Sequence, residues 1–296
     1  MSITASEIGA LAAENVAKIL EGAGDAVEAQ LAASAWATST LADGGWTALT
    51  AADSDADLTL RDLQQIARVG GRFLVPQALT TTLLAGRWFG LGESELARGV
   101  TVAVPSGDTT VLPYAVGAAQ VVDATGQIVG ELTAGERDGF SAVMPLAPAS
   151  PSVSPIGPSH RNELSALLAA TATGCADAVL DRAVGWVQTR HQFGRPLAAF
   201  QAIRHHLADM HIAREEAWTC AIAAGEEPDR AAEWAWTATQ RAKTVIETGI
   251  QVHGGIGFTW EAGIHHWLRH VLQLESLVEG QCRTASAGGP HLSQVG

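Results

Sequence analysis

Four apolar stripes at helical spacing fill the second half of this sequence, and no other feature restricts its fold so strongly. Leu164, Leu168, Cys175, Val179, Ala183 and Val187 mark the first, which ends before Phe193-Gly194. Phe200, Ile203, Leu207, Met210 and Ala217 mark the second. Trp234, Ala238, Ala242, Val245 and Gly249 mark the third, and Ile264, Trp267, Leu268, Val271 and Leu272 the fourth. Residues three and four apart share one helix face, so each stripe is a face that must be buried. Four such helices with short connections pack best as an antiparallel bundle.

The first half has a different texture. Thr4 to about Leu41 reads as two Ala-rich amphipathic helices, broken at Gly22-Ala23-Gly24. Asp43 to Asp57 is loop-like. Leu58 to Phe89 returns to helical spacing through Leu60, Leu63, Ile66 and Ala67, with Gly70-Gly71 expected to interrupt it and Pro76 to restart it. Near Gly99 the pattern changes again. Val100–Pro105, Thr109–Pro113, Gln120–Asp123 and Gln127–Gly130 are short β-branched runs divided by Gly, Asp and Pro, which predicts a small sheet. Five prolines between Pro145 and Pro158 predict an extended linker. The expected division is a helical part over residues 1–98, a small β part with its linker over 99–158, and a bundle over 159–296.

A formal charge of −13 with no basic run longer than a pair argues against nucleic-acid and anionic-membrane binding. Cys175, Cys220 and Cys282 show neither a disulfide framework nor zinc spacing. Met1-Ser2-Ile3-Thr4 lacks the charged and apolar regions of a signal peptide, and no uncharged apolar stretch is long enough to span a bilayer. The cytoplasm is the expected location.

Two stretches carry chemistry. Arg190-His-Gln192-Phe193-Gly194-Arg-Pro196-Leu-Ala-Ala-Phe200-Gln201 sets a guanidinium in the last turn of one helix, then a Gly-stopped turn, then a helix start. Arg190 either caps the carbonyls of its own helix or grips a phosphate through its donor fork. Gln251-Val-His253-Gly254-Gly255-Ile-Gly257-Phe258 follows a long helix, and its glycines either form a simple helix exit or let backbone amides approach an anionic ligand. With no preceding strand and the wrong spacing, it is not a dinucleotide fingerprint.

Together the two stretches resemble the C-terminal bundle of the acyl-CoA dehydrogenase family, whose pattern is Arg-x-x-Phe-Gly-x-Pro-x-x-x-Phe-Gln followed by Gln-x-x-Gly-Gly-x-Gly-Phe. The resemblance covers about Asn162–Leu272. It implies a mainly α fold with a reduced β middle part, and FAD bound between subunits. Arg190, Gln192 and Phe193 would contact the diphosphate and adenosine side of one flavin; Gln251, His253, Gly254 and Gly255 would line the same region from the neighbouring chain. The implied reaction removes a proton from Cα of an acyl-CoA thioester while hydride leaves Cβ for the flavin.

The sequence departs from that family in two respects. Val100–Met144 is too short for the segment that covers the flavin ring system. The two positions where the family carries its catalytic Glu fall on Leu164 and Val278, with Glu163 and Glu279 beside them. Glu279-Gly280 matches the family's Glu-Gly pair displaced by one residue, which makes Glu279 the candidate base. Both glutamates also read as solvated helix-end charges. A one-residue slip turns a helix position by roughly 100°.

Short length and displaced glutamates resemble the small subunits of heteromeric actinobacterial enzymes that desaturate steroid-derived CoA thioesters. That resemblance implies an α2β2 assembly in which a longer partner supplies the Glu, with an electron-transfer flavoprotein as acceptor. A catalytically silent subunit and a homo-oligomeric enzyme using Glu279 are the alternatives. A metal centre is not indicated: His266 and His270 are four apart, but the Glu-x-x-His pairs of a di-iron bundle are missing. A serine hydrolase elbow is missing too.

Overall fold

In the computed structural model the chain is described over residues 6–21, 44–75, 78–113, 120–131, 140–141, 143–144 and 146–287. The expected second N-terminal helix, the Gly22-Ala23-Gly24 break, Pro76 and Pro145 lie outside the described residues.

Helix α1 (Glu7–Glu21) packs on α2 (Leu60–Arg72). Thr59 opens α2 with a capping box: its hydroxyl accepts from the Asp62 amide, and the Asp62 carboxylate accepts from the Thr59 amide at 2.9 Å. The same carboxylate accepts from the Ser6 amide at 2.7 Å, which ties the start of α1 to the start of α2.

Gly70-Gly71 does not interrupt α2, contrary to the sequence reading. The helix runs through both and stops after Arg72, where Leu74 takes φ 53°. The reason is a neighbour. A Cβ on Gly71 would overlap the Thr171 carbonyl oxygen, so glycine is there to let two helices cross closely.

Helices α3 (Ala78–Phe89) and α4 (Glu93–Leu96) lead into the strands. Two three-stranded sheets form where one was expected. β1 (Val100–Val102) pairs in parallel with β4 (Gln120–Val122), which pairs with β5 (Ile128–Glu131). β2 (Val104–Ser106) pairs antiparallel with β3 (Thr109–Pro113), and β3 with β6 (Leu146–Pro148). The single run Val100–Pro105 is thus divided between sheets at Ala103. β6 falls inside the expected linker; as an edge strand it tolerates Pro148, which cannot donate to a ladder. Thr81 and Thr82 hold α3 to β1: the Thr81 hydroxyl donates to the Val100 carbonyl at 2.6 Å, and the Val100 amide donates to the Thr82 hydroxyl at 2.8 Å.

The bundle follows. α5 (Pro158–Thr189) starts four residues earlier than the sequence pattern suggested, with Pro158 in its first turn, where a missing amide costs nothing. α6 (Gln201–Glu226), α7 (Ala231–His253) and α8 (His265–Ala287) complete it. α5 is the axis, packing against α2, α6, α7 and α8. Its length and composition would suit a membrane span, but 89% of its most apolar window is buried inside the protein. Small residues set the crossings. A Cβ on Gly174 of α5 would strike the Arg68 carbonyl of α2, and one on Gly249 of α7 would strike Val179 of α5. Beside these crossings Arg68 makes two bonds to Asp177, at 2.6 and 2.9 Å, and lies 4.4 Å above the Trp218 ring.

Candidate functional site at one end of the bundle

Because α5 and α7 point the same way, their C-termini lie side by side, and both chemistry-bearing stretches meet there. Arg190 is the first non-helical residue after α5 (ψ 121°); its amide donates to the Trp186 carbonyl at 2.8 Å. Its exposed guanidinium lies over the Trp186 ring, 5.7 Å from the centroid. Against the same ring stands His253 of α7, its imidazole 5.5 Å away and 20° from parallel. Arg190 and His253, which the resemblance placed around one region from different chains, are neighbours within this chain through Trp186.

Trp186 escaped the sequence reading. The available signal was an aromatic residue four before Arg190, the spacing that puts two side chains on one helix face. Its indole Nε1 is buried without a hydrogen-bond partner, and an orphaned buried donor calls for an explanation.

After Arg190 the chain forms a tight hairpin, β7 (His191–Gln192) against β8 (Arg195–Pro196). Its two central residues, Phe193 and Gly194, take φ 52° and 78°. Positive φ at both positions suits a two-residue hairpin but strains a bulky side chain. Phe193 is nevertheless 92% exposed, so burial does not offset the strain. Its ring meets that of Phe200 edge to face at 6.1 Å, and the Arg195 guanidinium lies 4.1 Å above Phe200. Gln192 is exposed and donates to the neighbouring His191 carbonyl.

The glycines after α7 differ in their reasons. Gly254 ends the helix at φ 68°. Gly257 sits where a Cβ would overlap the Ile250 carbonyl. Gly255 has neither a positive φ nor a close neighbour, so its missing side chain leaves open surface beside His253. Gln251, Gly254, Gly255, Ile256, Phe258 and Trp260 are all exposed around it. His253 Nδ1 lies 2.7 Å from the Gly249 carbonyl, and burial with the nearby Arg182 charge holds its pKa below the usual imidazole value.

The glutamates lie elsewhere. Leu164 and Val278 are fully buried. Glu163 accepts from Trp88 Nε1 at 2.8 Å and from Arg87 at 3.2 Å, binding α5 to α3. Glu279 is exposed, paired with Arg283 at 2.6 Å, and rims a groove of ≈ 310 Å³ between Trp234, Trp236 and Cys282. The next residue, Gly280, faces the other way, against Ser106 of β2. One residue after Leu164 and three after Val278, Ser165 and Gln281 join α5 to α8, the Ser165 hydroxyl donating to Gln281 in a buried hydrogen bond. Among the described residues no cluster of three or more His, Cys, Asp or Glu is arranged to hold a metal.

The comparisons with known proteins decide the family. A family profile described as acyl-CoA dehydrogenase, C-terminal domain, matches residues 162–281. Acyl-CoA dehydrogenase IpdE2 of Mycobacterium tuberculosis is 30% identical over 238 residues, 74% of each protein. The chain belongs to the acyl-CoA dehydrogenase family. The fold agrees. A variant of the Tcur3481–Tcur3483 steroid ACAD superposes with a TM-score of 0.68 at 23% identity, covering 95% of this chain and 97% of that one. The ChsE4–ChsE5 complex from Mycobacterium tuberculosis gives 0.69 at 18% identity, covering 97% and 98%.

Members of this family are FAD-dependent acyl-CoA oxidoreductases, and the residues at the bundle end fit that cofactor. An exposed guanidinium, the open surface at Gly255 and the unpartnered Trp186 Nε1 are what an anionic, ring-bearing nucleotide needs.

Proposed function

We propose that the chain is one subunit of an FAD-linked acyl-CoA dehydrogenase that desaturates a steroid-derived or branched acyl thioester, and that a second family member supplies the catalytic Glu. One observation carries this reading. Both positions at which the family keeps its base are filled here by fully buried apolar residues, Leu164 and Val278, while Glu163 and Glu279 are held by Arg87 and Arg283. A carboxylate one residue away on a helix points roughly 100° aside. IpdE2 and the Tcur3481–Tcur3483 and ChsE4–ChsE5 assemblies, the latter two formed from pairs of named components, support it by likeness.

In this arrangement bound FAD supplies the hydride acceptor, and the chain contributes half of its site. Arg190 would hold the diphosphate, Gln192 and Phe193 would border the adenosine, and Gln251 with Gly254 and Gly255, next to Arg190 through Trp186 and His253, would leave backbone open to the same nucleotide. An electron-transfer flavoprotein is the acceptor, the assembly is α2β2 and its place is the cytoplasm. The division at residues 98 and 158 separates the flavin-holding bundle from the parts that shape the acyl pocket.

The test is oxidation of a panel of acyl-CoA thioesters, linear, branched and steroid-derived, with an artificial electron acceptor. Activity is expected from the chain co-expressed with a longer family member and not from either alone. Turnover by this chain alone would contradict the reading.

A further inference from the structure

His253 was grouped above with residues that line the diphosphate and adenosine side of the flavin, and its geometry narrows that role. A carbonyl oxygen only accepts hydrogen bonds, so the Nδ1 that lies 2.7 Å from the Gly249 carbonyl must carry the ring's proton. A neutral imidazole has one N–H, so Nε2 is then a bare acceptor. Three surroundings keep the ring neutral. It is half-buried, it lies 20° from parallel against Trp186, and the charge acting on it is the cation Arg182, with Arg190 over the same indole. No second proton is favoured there, and the pKa is accordingly depressed. A lone pair aimed at a phosphate oxygen would repel it. The same lone pair suits a hydroxyl or amine hydrogen.

We infer that His253 is a neutral hydrogen-bond acceptor for the uncharged, donor-bearing part of the nucleotide, a sugar hydroxyl or an exocyclic amine, and that it positions the nucleotide while Arg190 takes the phosphate charge. This rests on the flavin reading of the site. It divides the bundle end by chemistry: a cation on one side of Trp186 for the anionic linkage, a neutral acceptor beside Gly255 for the polar edge. It also gives Trp186 a purpose beyond packing, since the indole lies against the imidazole and fixes the plane of its ring.

Two measurements test it. Long-range 15N–1H correlation spectra of the full chain without added FAD should show His253 with protonated Nδ1 and unprotonated Nε2 at pH 7. An Nε2–H tautomer or a doubly protonated ring overturns the inference. In the FAD-binding oligomer, His253→Gln, which keeps an acceptor, should hold FAD within about threefold of the parent; His253→Lys, which introduces a cation and removes the acceptor, should lose about tenfold or more. The parent's affinity should not rise on going from pH 7 to pH 5. The reverse order, Lys retained and Gln lost, with affinity rising in acid, would mean a cationic phosphate contact and would overturn the inference while leaving the flavin site standing. An oligomer that binds no FAD overturns both.

Discussion

Gly71 of α2 lies directly against the backbone carbonyl of Thr171 on α5, and three residues further along α5, Gly174 lies against the carbonyl of Arg68. The two contacts are reciprocal: each helix offers a glycine to the other's backbone. They set the separation of the first helical layer from the bundle axis, and Arg68 and Asp177 pair beside them. Gly71→Ala or Gly174→Ala should therefore push the helices apart and cost about 3 kcal/mol or more, beyond any gain in helix propensity. Gly185→Ala, in the same helix with open space around it, should instead stabilise by about 0.5–1 kcal/mol. Urea unfolding followed by circular dichroism checks both signs.

Arg190→Ala should lower flavin occupancy roughly thirty- to a hundredfold in affinity, the loss of about 2–3 kcal/mol from a charge-assisted contact. Helix content should stay intact because Arg190 is exposed, lies beyond the end of α5 and stacks on Trp186. Absorbance in the flavin band after gel filtration reads the result; unchanged occupancy would remove Arg190 from the site.

Acid should loosen the junction of the middle segment and α8. His270 is fully buried with Nδ1 3.2 Å from the Ser141 hydroxyl, and burial pushes its pKa down to about 3. In the unfolded chain it titrates near 6.5. Between those values the unfolded state binds the extra proton, so stability falls as pH falls, by about 1.4 kcal/mol per pH unit. His266 is pushed down to about 4 by burial and by the neighbouring His265 and Arg269, and acts in the same direction. From pH 6.5 to 5 His270 alone should remove about 1.6 kcal/mol, less than the full slope because the unfolded histidine is only half protonated at pH 6.5. His270→Leu should flatten that slope whatever it does to stability at pH 7; an unchanged slope would show that another group carries it.

Glu163→Gln and Glu279→Gln should each leave turnover of the assembled enzyme within a few-fold, since loss of a general base costs at least about 10²-fold. Glu163→Gln should instead lower thermal stability by about 1–3 kcal/mol, because the carboxylate accepts from Trp88 and Arg87 at the junction of α3 and α5. Turnover collapsing in Glu279→Gln with flavin still bound would place the base in this chain.

Much of this was legible in the sequence because long helices write their buried face at a fixed spacing. Leu164 to Val187 and Trp234 to Gly249 could be placed on faces without coordinates, and so could the end of α5 near Arg190. What could not be read depended on neighbours distant in sequence. Gly70-Gly71 looked like a break because only the approach of Thr171 shows why glycine stands inside a helix. Leu146–Pro148 looked like linker because an edge strand needs few of its own amides, and only β3 reveals it. The split at Ala103 is a matter of which strand each half meets. Trp186 was overlooked because its importance comes from His253, 67 positions away, whose ring it faces.

On the proposed reading, this chain completes an enzyme only with a partner. Size-exclusion chromatography with light scattering, read together with absorbance in the flavin band, tests it on the chain expressed alone and co-expressed with a longer family member. Alone, the chain should elute as flavin-poor or aggregated material, because the exposed Phe193, Phe258 and Trp260 at the bundle end lack a covering surface. Co-expressed, the two should elute as one mixed tetramer with flavin bound. A stable, fully flavinated homo-oligomer of this chain alone would contradict the account.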